Sequence, residues 1–326
     1  MPKLYQPKEN TFDYDDIILV PNKNVVKSRS EVDTTAKLGN LTFESPVIPA
    51  NMSTIVDEKT CVWLAQKGIF YVMHRFNVNA VEFTKRLQAQ GLYSSVSLGI
   101  KEVDYKTIDQ FVAENITPEY VTVDVAHGDS DEVIRIVQTL KAKLPNTYII
   151  AGNLATPEGA LRLADAGANA VKIGIGPGSV CTTAPNTGFG TRFWQLSAVA
   201  NIAETLKDRN VQVIADGGIR NYGDIAKSIA FGADMIMIGG MLAGHDENPG
   251  ELIDIDGERR KAFFGSASEH QKGEHKHVEG KKKFVPYKGS LETTLQIIKE
   301  NLQSSVSYAG GTKLHDLHEV SYVRVK

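Results

Sequence analysis

Short apolar runs alternate with stretches of helical periodicity along most of the chain. The runs are rich in Val and Ile and are apolar at nearly every position, which is typical of parallel strands that are covered on both faces. The pattern predicts eight strands, at residues 47–50, 69–73, 94–98, 120–124, 147–151, 170–174, 211–216 and 234–238. The stretches between them predict seven helices, at residues 57–67, 79–90, 104–115, 129–143, 156–166, 194–206 and 221–231.

This order of elements predicts an α/β fold, a closed (β/α)8 TIM barrel. Residues 151–174 also align without gaps on residues 216–239, at an offset of 65, so two adjacent βαβ segments are built alike. A doubly wound sheet is the alternative, but residues 49–52 after the first strand read Pro-Ala-Asn-Met and lack the G-x-G-x-x-G of that fold.

The predicted barrel accounts for most of the chain as a single domain over residues 1–326. We expect an N-terminal arm at 1–45, the barrel at 46–245, an active-site flap at 265–290, and a C-terminal helix and tail at 291–326. The 326 residues are 42% hydrophobic and 23% charged, which excludes a disordered, collagen-like or disulfide-stapled chain. A net charge of −3 argues against a nucleic-acid-binding protein.

The chain has no sequence feature of export or membrane insertion. Its first residues are polar and acidic, whereas a signal peptide starts with basic residues and an apolar stretch. No apolar run approaches the roughly 20 residues that cross a bilayer. We therefore expect a cytoplasmic protein whose two cysteines, Cys61 and Cys181, are both thiols.

Glycine pairs follow the last two predicted strands, where barrels of this kind bind phosphate groups. They are Gly217-Gly218, which follow Asp216, and Gly239-Gly240. One such pair more often only turns the chain, but two pairs in both expected loops favour a phosphorylated ligand.

A loop with three glycines leads to Cys181 after the sixth predicted strand. Residues 174–183 read Gly-Ile-Gly-Pro-Gly-Ser-Val-Cys-Thr-Thr, and such a loop offers carbonyls to a monovalent cation and amides to a phosphate. Cys181 at the rim of the barrel is therefore a candidate nucleophile. Cys61 lies on the apolar face of the first predicted helix and is interpreted as a buried apolar residue.

The charged segment 269–283 is too polar for a core and too long for a simple connection. Its histidines, His270, His275 and His277, match no helical metal-binding pair, so a mobile flap over the barrel is the stronger interpretation. Glu279 would be its acid or base. A solvated charged loop without function is the alternative.

The cysteine loop resembles the catalytic loop of the IMP dehydrogenase and GMP reductase family, whose members are (β/α)8 barrels. Residues 28–33, 51–52, 124–128, 215–220 and 305–311 resemble further family segments in the same order. Residues 73–76 run directly into a helix, without the regulatory insert of most IMP dehydrogenases, and the flap lacks their water-activating Arg-Tyr pair. These differences favour the branch that reduces GMP.

The resemblance implies an enzyme of purine salvage that converts GMP to IMP and ammonia with NADPH, through a thioimidate on Cys181. Thr183 and Glu279 would manage the proton of the departing ammonia, and Asp124 would orient the purine or the nicotinamide. The residues implied for GMP are Ser179, Asp216, Gly217, Gly218, Gly239, Gly240, Gly265, Ser266, Ala267, Lys276, Glu279 and Gly280. Those implied for NADPH are Ser28, Arg29, Arg75, Asp124, Ala126, Ile175, Gly176, Ser304, Ser305, Val306 and Ser307.

The family also implies a potassium ion on the carbonyls of Gly176, Gly178 and Cys181, and a homotetramer. Two other functions remain open at this point. One is an IMP dehydrogenase without the regulatory insert, and the other is a catalytically silent guanine-nucleotide sensor, although a sensor does not require the set of Cys181, Thr183 and Glu279.

Overall fold

A computed structural model describes residues 11–265, Ser268, Gln271 and residues 279–325. The N-terminal arm carries strand β1 (Ile17–Leu19) and the hairpin of β2 (Ala36–Leu38) and β3 (Leu41–Phe43). The hairpin packs against the amino ends of the barrel strands, where Tyr120 donates a hydrogen bond to the carbonyl of Leu38 over 2.7 Å. The arm thus closes the face of the barrel opposite the predicted site.

Seven parallel strands form the central sheet. They are β4 (Val47–Pro49), β5 (Ser95–Leu98), β6 (Tyr120–Asp124), β7 (Tyr148–Leu154), β8 (Ala170–Ile173), β9 (Gln212–Asp216) and β10 (Met235–Ile238). The order is β4-β10-β9-β8-β7-β6-β5, so the last strand lies beside the first. Side chains of these strands are buried almost throughout, which agrees with their apolar sequences.

The prediction of a hydrogen-bonded strand at residues 69–73 is wrong. These residues are buried between β4 and β5, but they form only one bridge, from Met73 to Val96. At this bridge the Met73 amide donates to the Ser95 carbonyl over 2.9 Å, and the Ser97 hydroxyl donates to the Met73 carbonyl over 2.7 Å. The segment still fills the second position of the barrel, and the predicted (β/α)8 fold is confirmed.

Eight helices belong to the barrel and its loops in the described part of the chain, and one follows it. They are α1 (Glu58–Gln66), α2 (Ala80–Gln88), α3 (Glu102–Ala113), α4 (Asp131–Lys143), α5 (Pro157–Ala166), α6 (Thr183–Thr187), α7 (Gln195–Leu206), α8 (Tyr222–Ala230) and α9 (Leu291–Tyr308). The seven predicted helices correspond to α1–α5, α7 and α8, with ends that differ by a few residues. Helix α6 was not predicted and forms inside the cysteine loop.

Local sequence accounts for the helix ends and for the internal repeat. Thr156 caps α5 by accepting a hydrogen bond from the Gly159 amide, and Gly167 ends the helix in a left-handed conformation. Helix α8 and strand β10 begin 65 positions after α5 and β8, respectively, as the sequence repeat predicts.

A second sheet follows the barrel. It contains the antiparallel strands β11 (Leu252–Ile255), β12 (Glu258–Phe264) and β13 (Lys282–Pro286). Strand β12 ends just before the predicted flap at 265–290, and β13 lies within its second half. The described structure also contains four 3-10 helices, at Tyr14–Asp16, Arg29–Glu31, Gly240–Leu242 and Leu314–Glu319. The terminal strand β14 (Tyr322–Arg324) pairs with β1. Among these residues no helix combines the length and the apolar composition that a membrane span requires.

Candidate active site

A cavity of about 360 Å³ opens at the carboxyl ends of the barrel strands. The cavity is lined by the ends of six of the seven strands, by the cysteine loop and by the base of the flap. The lining residues include Asn51, Arg75, Asp124, Ala126, Asn153, Lys172, Gly176, Cys181, Thr183, Asp216, Gly217, Gly265, Glu279 and Gly280. A larger cleft of about 830 Å³ lies at the amino ends of β9 and β10, and none of the four predicted catalytic residues lines it. The chemistry therefore belongs to the smaller cavity.

Cys181 lies in the wall of this cavity at the end of the cysteine loop. Its Sγ is 3.1 Å from the hydroxyl of Thr183, the first residue of α6, and donates to the Glu279 carbonyl over 3.3 Å. Gly176 has a φ of +73°, and a Cβ there would lie 3.6 Å from Sγ and 3.2 Å from the Thr183 Cβ. The glycine therefore keeps space open beside the thiol.

The base of the flap brings Glu279 to the cysteine loop. The Thr182 amide donates to the Glu279 carbonyl, and the Lys281 amide donates to the Val180 carbonyl, both over 2.9 Å. These bonds hold Glu279 so that its Oε2 accepts a hydrogen bond of 2.5 Å from the Thr183 hydroxyl. Cys181, Thr183 and Glu279, which we call the relay, thus form a continuous polar path.

The polar floor of the cavity contains a buried ammonium between two carboxylates. Lys172 Nζ lies 2.5 Å from Asp216 Oδ2 and 3.2 Å from Asp124 Oδ1, and its side chain is only 2% exposed. Burial opposes the charge of Asp124, but Lys172 and Arg75 outweigh it and hold the pKa of Asp124 below its usual value. Burial likewise opposes the charge of Lys172, whereas Asp216 and Asp124 raise the pKa of this ammonium.

Sequence analysis missed Lys172 and two amides on the same floor. Asn153 donates to Asp216 Oδ2 over 2.8 Å, and Asn51 donates to Asp124 Oδ2 over 3.1 Å. A signal was present at Lys172, because a charged residue in the apolar strand Ala-Val-Lys-Ile requires a buried partner. Asn51 belongs to a segment of the family resemblance, but no role followed from it.

The residues predicted to bind GMP divide into two groups in the structure. Asp216, Gly217, Gly265, Glu279 and Gly280 line the cavity. Ser179, Gly218, Gly239 and Gly240 lie outside its lining, although a Cβ on Gly240 would be 3.8 Å from the Ser179 hydroxyl. Ser266, Ala267 and Lys276 lie outside the described residues.

The residues predicted to bind the cofactor also form two groups. Arg75, Asp124, Ala126 and Gly176 line the cavity, and Ile175 lies beside them in the cysteine loop. The second group lies on α9 and on the 3-10 helix that begins at Arg29, where the Arg29 guanidinium donates to the Ser304 hydroxyl over 3.1 Å and lies 5.3 Å from the Tyr308 ring centre.

The remaining predicted cofactor residues belong to this second group. Ser28 caps the 3-10 helix that begins at Arg29, and Ser305 lies on α9. Val306 is fully buried and Ser307 nearly so, which places both side chains on the inner face of α9.

The three residues predicted to bind potassium lie in one loop. Gly176 approaches Cys181, and the Gly178 carbonyl accepts a hydrogen bond of 3.1 Å from the Cys181 amide. Cys61, by contrast, is buried in the core, and both cysteines are free thiols, as the sequence predicts.

Residues 11–326 match the profile of the IMP dehydrogenase / GMP reductase domain. The chain belongs to this family. The match covers every strand of the barrel, the cysteine loop and the flap, so the family resemblance and the prediction of an enzyme are confirmed.

Family members named GMP reductase are similar over nearly their full length. One from Bacillus subtilis (strain 168) is 55% identical over 319 residues, which are 98% of this chain and 97% of the relative. One from Ligilactobacillus salivarius (strain UCC118) is 55% identical over 97% of this chain and 96% of its own. One from Acidovorax sp. (strain JS42) is 54% identical over 96% and 95%, respectively.

Proposed function

We propose that this chain catalyses the NADPH-dependent reductive deamination of GMP to IMP and ammonia, as an enzyme of purine salvage. The observation that carries the proposal is the relay, in which a cavity-lining thiol, a hydroxyl and a carboxylate lie in hydrogen-bond distance of one another. The similarity to proteins named GMP reductase supports the same reaction.

The first half of the proposed reaction removes the amino group of GMP. The Cys181 thiol passes its proton through the Thr183 hydroxyl to Glu279, and the resulting thiolate adds to C2 of the purine. The bond between C2 and the exocyclic nitrogen then breaks. The departing nitrogen takes up a proton and leaves as ammonia, and a thioimidate remains on Cys181. Glu279 supplies that proton through the Thr183 hydroxyl, because the two side chains share a hydrogen bond and Thr183 is beside Sγ.

The second half replaces the sulfur at C2 with hydrogen. NADPH, when bound, supplies a hydride to C2, and the bond from C2 to Sγ breaks to release IMP and the thiolate. The overall balance is GMP, NADPH and two protons to IMP, NADP⁺ and ammonium. A flat ring would find space beside Sγ, because Gly176 has no side chain there.

The remaining residues would hold the nucleotides and the ion. Asp216, through its carboxylate, would accept hydrogen bonds from the ribose, and the glycine amides of the loops after β9 and β10 would bind the phosphate with Ser179. Arg29 and Ser304 would bind the far phosphate of NADPH. Potassium on the cysteine loop and a homotetramer stay predictions from the family, and a cytoplasmic location stays a prediction from the sequence.

A spectrophotometric assay separates this function from that of an IMP dehydrogenase. We expect GMP to cause loss of NADPH absorbance with release of one ammonia per NADPH. IMP with NAD⁺ should produce no NADH, because the flap has no Arg-Tyr pair to activate water. Formation of NADH from IMP would contradict the proposal, and GMP binding without turnover would indicate the silent sensor.

A further inference from the structure

The ammonium of Lys172 has a complete set of three acceptors. It donates to Asp216 Oδ2 over 2.5 Å and to Asn153 Oδ1 over 2.6 Å, and it lies 3.2 Å from Asp124 Oδ1. A lysine ammonium has three N–H donors, so each donor has one acceptor. Burying such a charge is costly unless it is paired and hydrogen-bonded, and this arrangement meets both conditions.

Each acceptor leads to a different part of the cavity. Asp124 ends β6 and lies on the side of the predicted nicotinamide, whereas Asp216 ends β9 and lies on the side of the predicted ribose. Asn153 donates to the Gly174 carbonyl over 2.6 Å, at the first residue of the cysteine loop. The buried Lys172 side chain on β8 therefore contacts one residue on the side of the predicted nicotinamide, one on the side of the predicted ribose, and one that holds the start of the cysteine loop.

The hydrogen bonds also fix which carboxylate oxygen is available to a ligand. Lys172 and Asn153 both donate to Oδ2 of Asp216, which leaves Oδ1 to accept from a ligand hydroxyl. Oδ1 of Asp124 lies next to the Lys172 ammonium, and Oδ2 of Asp124 accepts a hydrogen bond from Asn51. Both carboxylates are thus held at a fixed rotation.

We propose that Lys172 is a positioning residue that holds Asp124, Asp216 and Asn153 as one unit, so that a single ammonium orients the nucleotide and the cofactor sides of the cavity. Its assignment to GMP and NADPH rests on the proposed function. The geometric part of the proposal, an ammonium that holds two partly buried carboxylates in place, does not depend on the reaction.

The charged groups around Lys172 determine the expected pH dependence. Asp124 and Asp216 contact it, Arg75 acts on Asp124 from the segment before α2, and Cys181 and Glu279 lie across the cavity. In the intact protein the lowered pKa of Asp124 stabilises the fold at any pH above the pKa that Asp124 has in the unfolded chain. This stabilisation is lost only below about pH 4. Without the ammonium, burial raises the pKa of Asp124, so the loss of stability is largest at neutral pH and shrinks as this carboxyl takes up a proton.

Lys172→Met tests the proposal, with Lys261→Met as a matched control. Lys261 is also buried, but its ammonium donates to the backbone carbonyls of His245 and Asn248, over 2.7 and 2.5 Å. We expect Lys172→Met to lower Tm by roughly 5 °C or more at pH 7.5 and by clearly less at pH 5. Lys261→Met should lower Tm by the same amount at both pH values.

Calorimetry with GMP and with NADP⁺ measures the positioning role apart from turnover. Lys172→Met should weaken binding of both ligands about tenfold or more, whereas Lys261→Met should leave both affinities unchanged. Equal Tm losses at both pH values, or a loss of affinity for only one ligand, would overturn the proposal. Wild-type protein that does not oxidise NADPH with GMP would reject the proposed function and leave the Tm result as the test of the geometry.

A double variant keeps the proposal testable if the single variant folds poorly. Lys172→Met combined with Asp124→Asn removes one of the carboxylates that the lost ammonium had neutralised. We expect the double variant to regain part of the Tm at pH 7.5, because one buried charge is gone. A Tm at or below that of Lys172→Met would contradict the proposal.

Discussion

The hydroxyl of Thr183 donates a hydrogen bond of 2.5 Å to Oε2 of Glu279, a residue 96 positions later in the chain. Thr183 is the first residue of α6, and Glu279 is held by backbone hydrogen bonds between the base of the flap and the cysteine loop. Since Cys181 Sγ lies 3.1 Å from the same hydroxyl, a proton can pass between the carboxylate and a group bound at the thiol. This contact is the basis of the proposed ammonia release.

Glu279→Gln should slow turnover far more than it weakens GMP binding. The amide keeps the size of the side chain but cannot donate a proton as an acid, so we expect kcat to fall about 100-fold or more. Steady-state rates of NADPH oxidation and calorimetric titration with GMP measure the two quantities. A change confined to KM would be inconsistent with the role of Glu279.

Thr183→Val changes the other side chain of the same hydrogen bond, because it replaces the hydroxyl with a methyl group of similar size. If Thr183 and Glu279 act in one path, the double variant should be about as slow as the slower single variant. Losses in kcat that multiply would show that the two side chains act separately.

Gly176→Ala should impair turnover, whereas Gly188→Ala should not. Both glycines have a left-handed φ, +73° and +79°, so alanine costs each a similar backbone strain of about 1–2 kcal/mol. A Cβ on Gly176 would lie against Cys181 and Thr183, but a Cβ on Gly188 meets nothing within 4 Å. Equal kcat values for the two variants, at a temperature where both are folded, would argue against a ring stacked beside Sγ.

The two cysteines should differ sharply in reactivity. Cys61 is buried, and burial, together with the nearby Asp57, raises the pKa of its thiol well above the usual value, so it stays protonated between pH 7 and 9. Cys181 lines the cavity and is partly exposed. A chromogenic disulfide reagent should therefore modify one thiol per native chain, and GMP should slow that reaction. Rapid modification of both thiols, or no protection by GMP, would contradict this assignment.

Arg29→Ala should weaken the use of NADPH without affecting GMP. The guanidinium lies beside Ser304 and Tyr308 on the surface of α9 and suits a phosphate group. We expect the KM for NADPH to rise about tenfold, the KM for NADH to change much less, and the KM for GMP to stay constant. Arg135→Ala is the control, since Arg135 is an exposed arginine paired only with Glu132. An unchanged KM for NADPH would remove Arg29 from the cofactor site.

Local patterns were sufficient to predict most of the barrel. The strands are short apolar runs, and caps such as Thr156 and Gly167 are set by neighbours in sequence. Residues 69–73 show the limit of this reasoning, because apolar composition predicts burial but not which groups accept the hydrogen bonds. Of these residues Met73 alone forms a bridge, to Val96.

The candidate site was predicted where its chemistry is local and missed where it depends on distant partners. The glycines before Cys181 mark an active loop within ten residues of sequence. Lys172 finds its partners 48 and 44 positions away, at Asp124 and Asp216, and only the strand order β6-β7-β8-β9 in the barrel brings them together. The sequence resemblance connected Glu279 to Cys181, but their contact requires the pairing of the flap base with the cysteine loop.

The most direct test of the central claim follows one hydrogen atom. The enzyme is incubated with GMP and with NADPH that carries deuterium at both hydrogen positions of C4 of its nicotinamide, and the purine product is examined by mass spectrometry. Wild-type protein should yield IMP with one deuterium at C2, and Cys181→Ala should yield none while it still binds GMP. IMP without deuterium, or labelled IMP formed by Cys181→Ala at the wild-type rate, would contradict hydride transfer to a Cys181 thioimidate.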